Sequence, residues 1–312
     1  MSSRDKPSTR LGRRSTAQEA LRDVRLDGRT AIVTGASSGI GVETTRVLAL
    51  AGADVVMAVR STDAGERVAG ELRAGLAKAG RIEVQELDLA DLDSVRRFAK
   101  RWEDDGRALD LLINNAGVMA TPRSTTKQGF ELQLGTNHLG HALLTELLIP
   151  QLEASPYGRI VNVSSDLHRR GKADSLLATL DTDPRYERRS YDRFQAYGDS
   201  KLANVLFTRS LAKRLQSTLV YSLHPGVIPT NLSRSMGALG AVFRGLLIVF
   251  SKSIAQGAAT TVYAATAPEL ESRTGAYLSD CAEATASPAG RDDALAAEVM
   301  RLTERLTGQL SK

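Results

Sequence analysis

A glycine-rich turn between an apolar strand and a helix leaves few folds open to this chain. Residues 31–33 (Ala-Ile-Val) have the pattern of a buried strand, and residues 42–50 have the pattern of a helix. Gly35 permits a tight turn between them, Gly39 lets the backbone approach a phosphate, and Gly41 lets the helix pack closely. The first N–H groups of a helix attract anions because they have no partners within it. The motif predicts a dinucleotide site whose contacts include Gly35, Ser37, Ser38, Gly39, Ile40 and Gly41.

The same turn also fits a second motif, the G-x-S-x-G elbow that presents a nucleophilic serine. A hydrolase of this kind needs an acid and then a histidine further along the chain, and an oxyanion loop from an earlier strand. Here the turn follows the first predicted strand, so no earlier strand supplies that loop. A hydrolase is therefore the less favoured interpretation.

Apolar runs typical of strands alternate with helical patterns along the body of the chain. Parallel strands need such crossovers, so the alternation predicts a parallel sheet covered on both faces. No repeat, low-complexity block or Pro/Gly-rich linker divides the body. We expect a single α/β domain of the Rossmann type, with a doubly wound parallel sheet of about seven strands and helices on both faces. The predicted strands are Thr30–Thr34, Asp54–Val59, residues 81–86, residues 109–113, Arg159–Val163, residues 219–223 and residues 277–278.

Most of the positive charge lies near the start of the chain. The 312 residues carry a formal net charge of +5, and residues 1–29 contain eight Lys and Arg against four Asp and Glu. We expect residues 1–28 to be a basic, disordered leader before a domain at 29–312. The leader lacks the apolar region of a secretory signal, and Cys281 is the only cysteine, so nothing demands an oxidising compartment. We expect a cytoplasmic protein with no nucleic-acid partner.

Polar residues follow several predicted strands, at the edge where ligands of such sheets bind. Arg60 follows the second strand, where an acidic residue would bind the ribose 2′-hydroxyl of NAD. An arginine suits a 2′-phosphate instead, so we expect NADP(H), with NAD(H) less favoured. Asp88 could either bond the adenine edge or cap the next helix. The other predicted cofactor contacts at these strand ends are Leu89, Asn115, Ala116 and Gly117.

Tyr197 and Lys201 are four residues apart in a predicted helix and therefore project from the same face. A tyrosine has a pKa of about 10, which makes it a poor acid–base catalyst at neutral pH. A lysine charge nearby would lower this pKa by about 1–3 units. Tyr197 could then exchange a proton with an alcohol or carbonyl oxygen. Such pairs occur by chance on many helices, so the interpretation depends on the nucleotide-type motifs upstream.

Together these motifs resemble the classical short-chain dehydrogenases/reductases over about residues 29–279. The shared pattern comprises residues 34–41, Asn114–Gly117, two serines after the fifth strand, Tyr197-x-x-x-Lys201 and His224-Pro-Gly226, in the family's order. Residues 136–141 (TNHLGH) and 277–280 (YLSD) are similar more narrowly to the retinol-dehydrogenase and WW-domain-oxidoreductase-like branch.

The resemblance implies a catalytic tetrad. Tyr197 would be the general acid/base, and Lys201 would tune it and bind the nicotinamide ribose. Ser165 would bind the substrate oxygen, and Asn137 would hold a water that links Lys201 to solvent. Further cofactor contacts would come from Pro225, Gly226, Val227 and Thr230, the last less securely because Pro229 removes a donor. The implied reaction is hydride transfer between NADP(H) and an apolar ketone or aldehyde, of retinoid, steroid or polyketide type (anthracycline-like ketones included).

Two segments flank the expected substrate site. Residues 236–250 are the most apolar stretch but are too short for a membrane span and include Arg244. We expect a substrate lid within residues 231–255, with peripheral membrane contact less favoured. Residues 166–196 are charged and are expected to form a surface loop beside the substrate mouth. The four histidines have no metal-ligand spacing, so no metal is expected.

Other functions and assemblies are also considered. A non-catalytic NADP-binding scaffold or redox sensor would keep the cofactor site without needing Tyr197. A sugar-nucleotide epimerase shares Tyr-x-x-x-Lys but has a differently spaced glycine motif and a larger C-terminal domain. The resemblance also allows a homo-oligomer through helices near residues 139–152 and 202–215.

Overall fold

The computed structural model describes residues 11–76, 79–228 and 251–308, which contain one mixed sheet of eight strands. The strands are β1 Thr30–Thr34, β2 Asp54–Val59, β3 Ile82–Glu86, β4 Leu111–Asn114, β5 Arg159–Val163, β6 Leu219–His224, β7 Tyr277–Ser279 and β8 Ala282–Ala284. β1 to β7 all run parallel to one another, and β8 runs antiparallel to β7. The predicted single α/β domain with a doubly wound sheet is confirmed.

Helices connect these strands. They are α1 Ala17–Leu21, α2 Ile40–Leu50, α3 Thr62–Gly75, α4 Leu92–Asp104, α5 Leu132–Leu134, α6 Gly140–Glu153, α7 Ala173–Asp181, α8 Arg193–Arg214, α9 Ile254–Gly257, α10 Ala259–Thr266 and α11 Asp293–Thr307. A π-helix, Gly135–Leu139, joins α5 to α6. Short 3₁₀-helices occupy Asp166–Arg170, Pro268–Leu270 and Ala289–Arg291.

The order of the strands decides where a ligand can bind. The order is β3-β2-β1-β4-β5-β6-β7-β8, so β1 pairs with β2 on one side and with β4 on the other. The chain therefore winds outward in opposite directions from β1 and β4. The loops after these two strands leave the sheet to opposite faces, and a crevice opens between them at the carboxyl ends.

The core lies on both faces of the sheet because side chains alternate along each strand. Ala31 and Val33 of β1 pack with α1, α2 and α10, whereas Ile32 packs with α4, α6 and α8. On α4, Val95, Phe98 and Trp102 recur at helical spacing and are buried. Strands covered on both faces hold the loops at their ends in fixed positions.

The eighth strand was not expected from the sequence, which predicted about seven. Ala282–Ala284 is only three residues long and has no buried residue, so it lacks the alternating pattern that marks a strand. Its register with β7 pairs Leu278 with Glu283. Only the position of β7 in the sheet makes this edge available for pairing.

The prediction of a disordered leader at residues 1–28 is wrong for residues 11–28; residues 1–10 lie outside the described residues. Thr16 and Glu19 form a reciprocal capping box at the start of α1. Ala17, Ala20 and Leu21 are buried in the core against α10. The segment was predicted to be disordered because of its many basic residues. Its apolar face is short, and it is buried only because α10 packs against it.

Residues 166–196 are not the predicted surface loop. The segment forms a 3₁₀-helix and then α7, and Leu176 and Leu180 of α7 are fully buried. Asp199 of α8 accepts hydrogen bonds from Ser175 Oγ at 2.6 Å and from the Lys172 N–H at 2.9 Å. Because Asp199 lies between Tyr197 and Lys201, these bonds attach the segment to the helix that carries both residues.

Further predictions concern Thr230 and the substrate lid, contact with a membrane, and the face for oligomer contacts. Thr230 and most of the predicted lid, residues 231–250, lie outside the described residues. Within the described part of the chain, no helix has the length and apolar character needed to cross a membrane. α11 packs along α8, so a face considered for oligomer contacts is partly covered by the chain itself.

Candidate active site

A cleft of about 380 Å³ opens at the carboxyl ends of β1, β2 and β4, where the winding direction changes. Its walls come from the glycine turn, the ends of β2 and β3, the loop after β4, and α8. The predicted residues that line it are Gly35, Ser37, Ser38, Gly39, Ile40, Arg60, Asp88, Leu89, Asn115, Ala116, Gly117, Tyr197, Lys201 and Pro225. The structure thus brings residues from distant parts of the sequence into one cleft.

The glycine turn has the geometry that the sequence predicted for a phosphate cradle. Gly35 and Gly39 have φ angles of +65° and +58°, which side chains disfavour. A Cβ on Gly41 would lie 2.5 Å from the Gly35 carbonyl oxygen and 2.7 Å from Asn115 Nδ2. Gly39 is also the N-cap of α2 and has no side chain to occupy its first N–H groups. The first turn of α2 is therefore available for an anion.

Thr34 joins the turn after β1 to the turn after β4. Its Oγ1 accepts hydrogen bonds from the Asn115 and Ala116 N–H groups at 2.9 and 3.0 Å. Oγ1 also lies 2.9 Å from His141 Nε2, and His141 Nδ1 lies 3.1 Å from the Asn137 carbonyl oxygen. Since a carbonyl only accepts, Nδ1 carries the proton and Thr34 donates to Nε2. The two loops are therefore held together by hydrogen bonds that meet at the buried Thr34 hydroxyl.

Asn115 lines the cleft, but its side chain supports the protein itself. Its Nδ2 donates to the Thr34 carbonyl oxygen at 2.8 Å. The neighbouring Asn114 donates to Thr145 Oγ1 and Asn162 Oδ1 at 2.9 and 2.8 Å, which ties β4 to α6 and β5. The two amides thus hold the end of β4 in place, and Ala116 and Gly117 are the small residues that leave room in the cleft.

Tyr197 and Lys201 lie on the same face of α8, as predicted, but burial decides how they titrate. Lys201 Nζ is 5.7 Å from the centre of the Tyr197 ring and donates to the Val163 carbonyl oxygen at 2.9 Å. Burial raises the pKa of Tyr197 to about 12, against a smaller lowering by a hydrogen bond with Ser165. The prediction that Lys201 lowers this pKa is therefore wrong for the protein alone. Burial also lowers the pKa of Lys201 to about 8, because its charge has lost hydration.

The two serines after β5 have different surroundings. Ser164 Oγ is buried and donates to the Lys201 carbonyl oxygen at 2.8 Å. Ser165 Oγ accepts from the Leu167 N–H at 3.2 Å and interacts with the Tyr197 hydroxyl. Of the two, Ser165 is the serine beside Tyr197, as the resemblance implied.

Asn137 lies within the π-helix that precedes α6. Its side chain accepts from the Val118 N–H at 2.8 Å and donates to the Val118 carbonyl and Ser200 Oγ at 2.9 and 3.0 Å. A Cβ on Gly117 would lie 3.2 Å from Asn137 Oδ1 and 3.6 Å from Lys201 Nζ. Asn137 therefore supports the loop beside Lys201. Single π-turns inside α-helices are frequent at functional sites.

Arg60 and Asp88 lie at the end of the cleft formed by β2 and β3. Arg60 is exposed, and the next residue, Ser61, caps α3 by accepting from the Ala64 N–H. Asp88 Oδ1 accepts from the Ala90 N–H at 2.9 Å. The N-cap of α4 is Asp91 rather than Asp88, so the helix-capping alternative for Asp88 is wrong.

The loop after β6 rests on a buried lysine that the sequence did not suggest. Gly226 has a φ of +98°, and a Cβ there would lie 2.6 Å from Lys252 Cδ. The Lys252 N–H donates to the Val227 carbonyl oxygen at 2.8 Å, and Nζ lies 2.6 Å from Asp280 Oδ1. Lys252 stands shortly after residues 229–250, which lie outside the described residues, and no local pattern connects it with β7 or with Gly226.

Two histidines near Ser165 were also missed as members of the site. His168 Nδ1 lies 2.8 Å from the Ser165 carbonyl oxygen, and the Asp166 N–H donates to His224 Nδ1 at 3.1 Å. The spacing of three residues between Ser165 and His168 was the only local signal available. Among the described residues, no group of three or more His, Cys, Asp or Glu side chains could hold a metal ion.

These features define an oxidoreductase that binds a nicotinamide cofactor and acts on a carbonyl or alcohol. The sequence profile described as short chain dehydrogenase matches residues 29–175. Retinol dehydrogenase 12 of Homo sapiens is 44% identical over 288 residues, which cover 92% of this chain and 88% of the relative. The chain belongs to the short-chain dehydrogenase/reductase family. Its similarity to this relative places it in the retinol dehydrogenase branch.

Solved structures agree with this assignment. An uncharacterized protein from Mycobacterium paratuberculosis superposes with a TM-score of 0.73 and 38% identity, covering 93% of this chain and 97% of that one. A short chain dehydrogenase from Burkholderia cenocepacia in complex with NADP gives a TM-score of 0.62 and 26% identity, covering 81% and 96%. The similarity extends beyond the profile match to the strands that follow α7.

Proposed function

We propose that this protein is an NADPH-dependent reductase of apolar ketones or aldehydes, with Tyr197 as the proton donor. The observation that carries the proposal is that Tyr197 and Lys201 line the same cleft as the glycine turn, and that Ser165 hydrogen-bonds the Tyr197 hydroxyl. Bound NADPH would supply the hydride to the carbonyl carbon. The chain's own residues would orient the carbonyl and provide the proton.

The protonation states favour reduction. With its pKa at about 12, Tyr197 is neutral near pH 7 and can donate its proton to the oxygen of a carbonyl. Ser165 would donate a hydrogen bond to the same oxygen and stabilise the charge that develops there. Lys201, whose pKa is about 8, is mostly protonated at pH 7 and could return a proton to Tyr197 through a water held near Asn137. These roles for the four residues are proposals.

The preference for NADPH rests on Arg60. Arg60 lines the cleft after β2, and no acidic residue stands at 59–61, where a ribose 2′-hydroxyl would be bound. The N-terminus of α3, which begins at Thr62, adds positive potential nearby, although Asp63 in its first turn carries an opposing charge. Together they suit a 2′-phosphate. The proposed contacts from Pro225, Gly226, Val227 and Thr230 concern the opposite, nicotinamide end.

The substrate class is proposed from similarity and from the apolar surroundings of the site. The human relative is named a retinol dehydrogenase, so a retinoid is the first candidate for this chain. Val118 and Leu132 line the cleft, and Val227 and Ile254 are large apolar side chains left 46% and 44% exposed. Steroid and polyketide ketones share the same apolar character.

Consumption of NADPH tests the proposal, with retinal, a steroid ketone and a polyketide ketone as substrates. Tyr197→Phe should abolish turnover but keep NADPH binding, because the ring remains and only the proton donor is lost. Tyr157→Phe is the matched control, since Tyr157 is 53% exposed and remote from the cleft lining. If Tyr197→Phe keeps its turnover, Tyr197 is not the acid.

The choice of cofactor needs its own comparison. Arg60→Leu should weaken NADPH binding about 10-fold or more and leave NADH binding nearly unchanged, since only NADPH has the 2′-phosphate. Arg67→Leu, an exposed arginine on α3, is the matched control for loss of one positive charge. Equal use of NADH and NADPH by the unaltered protein would refute the role of Arg60. Tight NADPH binding without turnover of any carbonyl would favour the scaffold alternative.

A further inference from the structure

The peptide unit that follows Ser165 is held from both sides by imidazole rings. On one side, the Ser165 carbonyl oxygen lies 2.8 Å from His168 Nδ1 and also accepts the His168 N–H at 3.0 Å. On the other side, the Asp166 N–H donates to His224 Nδ1 at 3.1 Å. The C=O and the N–H of one peptide bond are thus each bound to a different histidine.

The hydrogen-bond partners fix the protonation of each ring. The Ser287 N–H donates to His168 Nε2 at 2.9 Å, so Nε2 must carry a lone pair and the proton must be on Nδ1. His224 accepts at Nδ1, so its proton must be on Nε2. A second proton on either ring would face an N–H donor. Both histidines can therefore perform this role only as neutral rings of opposite tautomers.

The surroundings hold the His168 ring in place, whereas His224 is only partly buried. His168 has no exposed surface, and its ring centre lies 4.8 Å from that of Tyr277. Burial lowers the pKa of His168 and lowers that of His224 to about 4. His168 and Ser287 are 119 residues apart, so the ring also connects the site to the segment after β8.

We propose that His168 and His224 are positioning residues that direct Ser165 Oγ toward Tyr197 and the substrate oxygen. With the peptide bond fixed and Ser165 in extended backbone conformation (φ −159°, ψ 155°), the direction of its Cα–Cβ bond is set. Oγ accepts the Leu167 N–H, and this leaves its own proton for donation. Neither histidine lines the cleft. The inference rests on the proposed function, because it needs Ser165 to bind the substrate oxygen.

The proposal is tested by measuring the effect of a histidine substitution on kcat, both in the unaltered protein and in the Ser165→Ala variant. Ser165→Ala should lower kcat by about 100-fold, as loss of a donor to a developing oxyanion does. His224→Leu should lower kcat by about 10-fold with little change in the KM for NADPH, but by less than about twofold when Ser165 is already Ala. Equal losses in both backgrounds would overturn the proposal, since the histidine would then act independently of Ser165.

Conservative variants of His224 distinguish loss of the hydrogen bond to Asp166 from loss of the fold. In His224→Asn, Oδ1 can accept the Asp166 N–H in place of Nδ1, so kcat should return to within about threefold of the unaltered protein. His224→Gln moves the acceptor by one methylene and should lose about as much activity as His224→Leu. If Asn and Gln behave alike, the hydrogen bond to Asp166 has no positioning role. Arg169→Leu is the control on the same 3₁₀-helix, because its side chain contacts Asp166 Oδ1 and the Thr285 carbonyl but not the Ser165 peptide.

A second measurement does not depend on activity. The chain has only four histidines, so ¹⁵N-histidine labelling gives a side-chain NMR spectrum that His-to-Asn variants can assign. At neutral pH His168 should carry its proton on Nδ1 and His224 on Nε2. A proton on His224 Nδ1 would overturn the proposal. If both histidines show the expected tautomers but no carbonyl is turned over, the contact of the two histidines with the peptide stands and the proposed function is rejected instead. Full activity of Ser165→Ala would reject the role of Ser165.

Discussion

Replacing Gly41 by alanine tests whether the glycine turn holds the cofactor phosphates. The new Cβ would lie 2.5 Å from the Gly35 carbonyl oxygen and 2.9 Å from Ala36 Cα, where ordinary contacts begin at 3.4 Å. To restore such a contact, the turn would have to move by about 0.9 Å away from α2. Backbone atoms must move here, because two of the three atoms nearest to the new Cβ belong to the backbone and only the third, Asn115 Nδ2, belongs to a side chain.

The displacement would act on cofactor binding more than on folding. A shift of this size would misalign the N–H groups at the start of α2, and a hydrogen bond to a charged group contributes about 1.5–3 kcal/mol. Loss of one such bond corresponds to a rise of about 10- to 150-fold in the Kd for NADPH. The sheet beneath the turn should remain intact, since β1 is held by β2 and β4.

Isothermal titration calorimetry with NADPH measures the change, and thermal unfolding shows whether the fold persists. Gly70→Ala is the matched control, because a Cβ at Gly70 meets nothing within 4 Å and Gly70 is exposed on α3. The control should bind NADPH as the unaltered protein does and gain up to about 1 kcal/mol of stability from the better helix former. If Gly41→Ala binds NADPH within twofold of Gly70→Ala, the turn is not a phosphate cradle.

Three further predictions concern titration and stability. The kcat of carbonyl reduction should fall as pH rises through about 8, where Lys201 loses its proton. Lys201→Arg should move this fall to higher pH, and an unchanged pH profile would show that the fall is not caused by Lys201. Leu21→Ala should cost about 2–4 kcal/mol of unfolding free energy, because Leu21 is buried against α10; an unchanged urea midpoint would contradict the docking of α1. Burial lowers the pKa of His141 to about 3. Between about pH 6.5 and 3 the unfolded chain therefore binds a proton at this residue that the folded chain does not, so the stability present above about pH 6.5 is lost as the pH falls. Between these pKa values His141 contributes a slope of up to about 1.4 kcal/mol per pH unit, so His141→Gln should show a shallower fall from pH 7 to 5; equal slopes would contradict its neutral state.

Much of the cleft could be predicted because its residues stand directly after strands. The glycines after β1 and the Asn114–Gly117 turn after β4 are short patterns whose geometry depends on neighbours in the chain. Once the strands were known to be parallel, their carboxyl ends had to share one edge. The spacing of four residues likewise put Tyr197 and Lys201 on one face of a helix.

The pKa values could not be predicted in this way. A tyrosine and a lysine four residues apart suggest mutual influence, but their titration depends on how much water the fold removes. Val163, from β5, binds the ammonium of Lys201, while burial raises the pKa of Tyr197. Desolvation is a property of the packed interior, and no local spacing carries it.

By itself, the sequence determined the parallel sheet, its glycine turn, the order of the motifs and the helix that presents Tyr197, because periodicity and turn chemistry act over a few residues. The tertiary structure alone decided the docking of residues 11–28, the pairing of β8 and the two rings around the Ser165 peptide. Asp166 and His224 are 58 residues apart, and His168 and Ser287 are 119 apart. Such partners meet only because the strand order brings the ends of β5, β6 and β7 together, and that order is set by packing of the whole domain rather than by any local pattern.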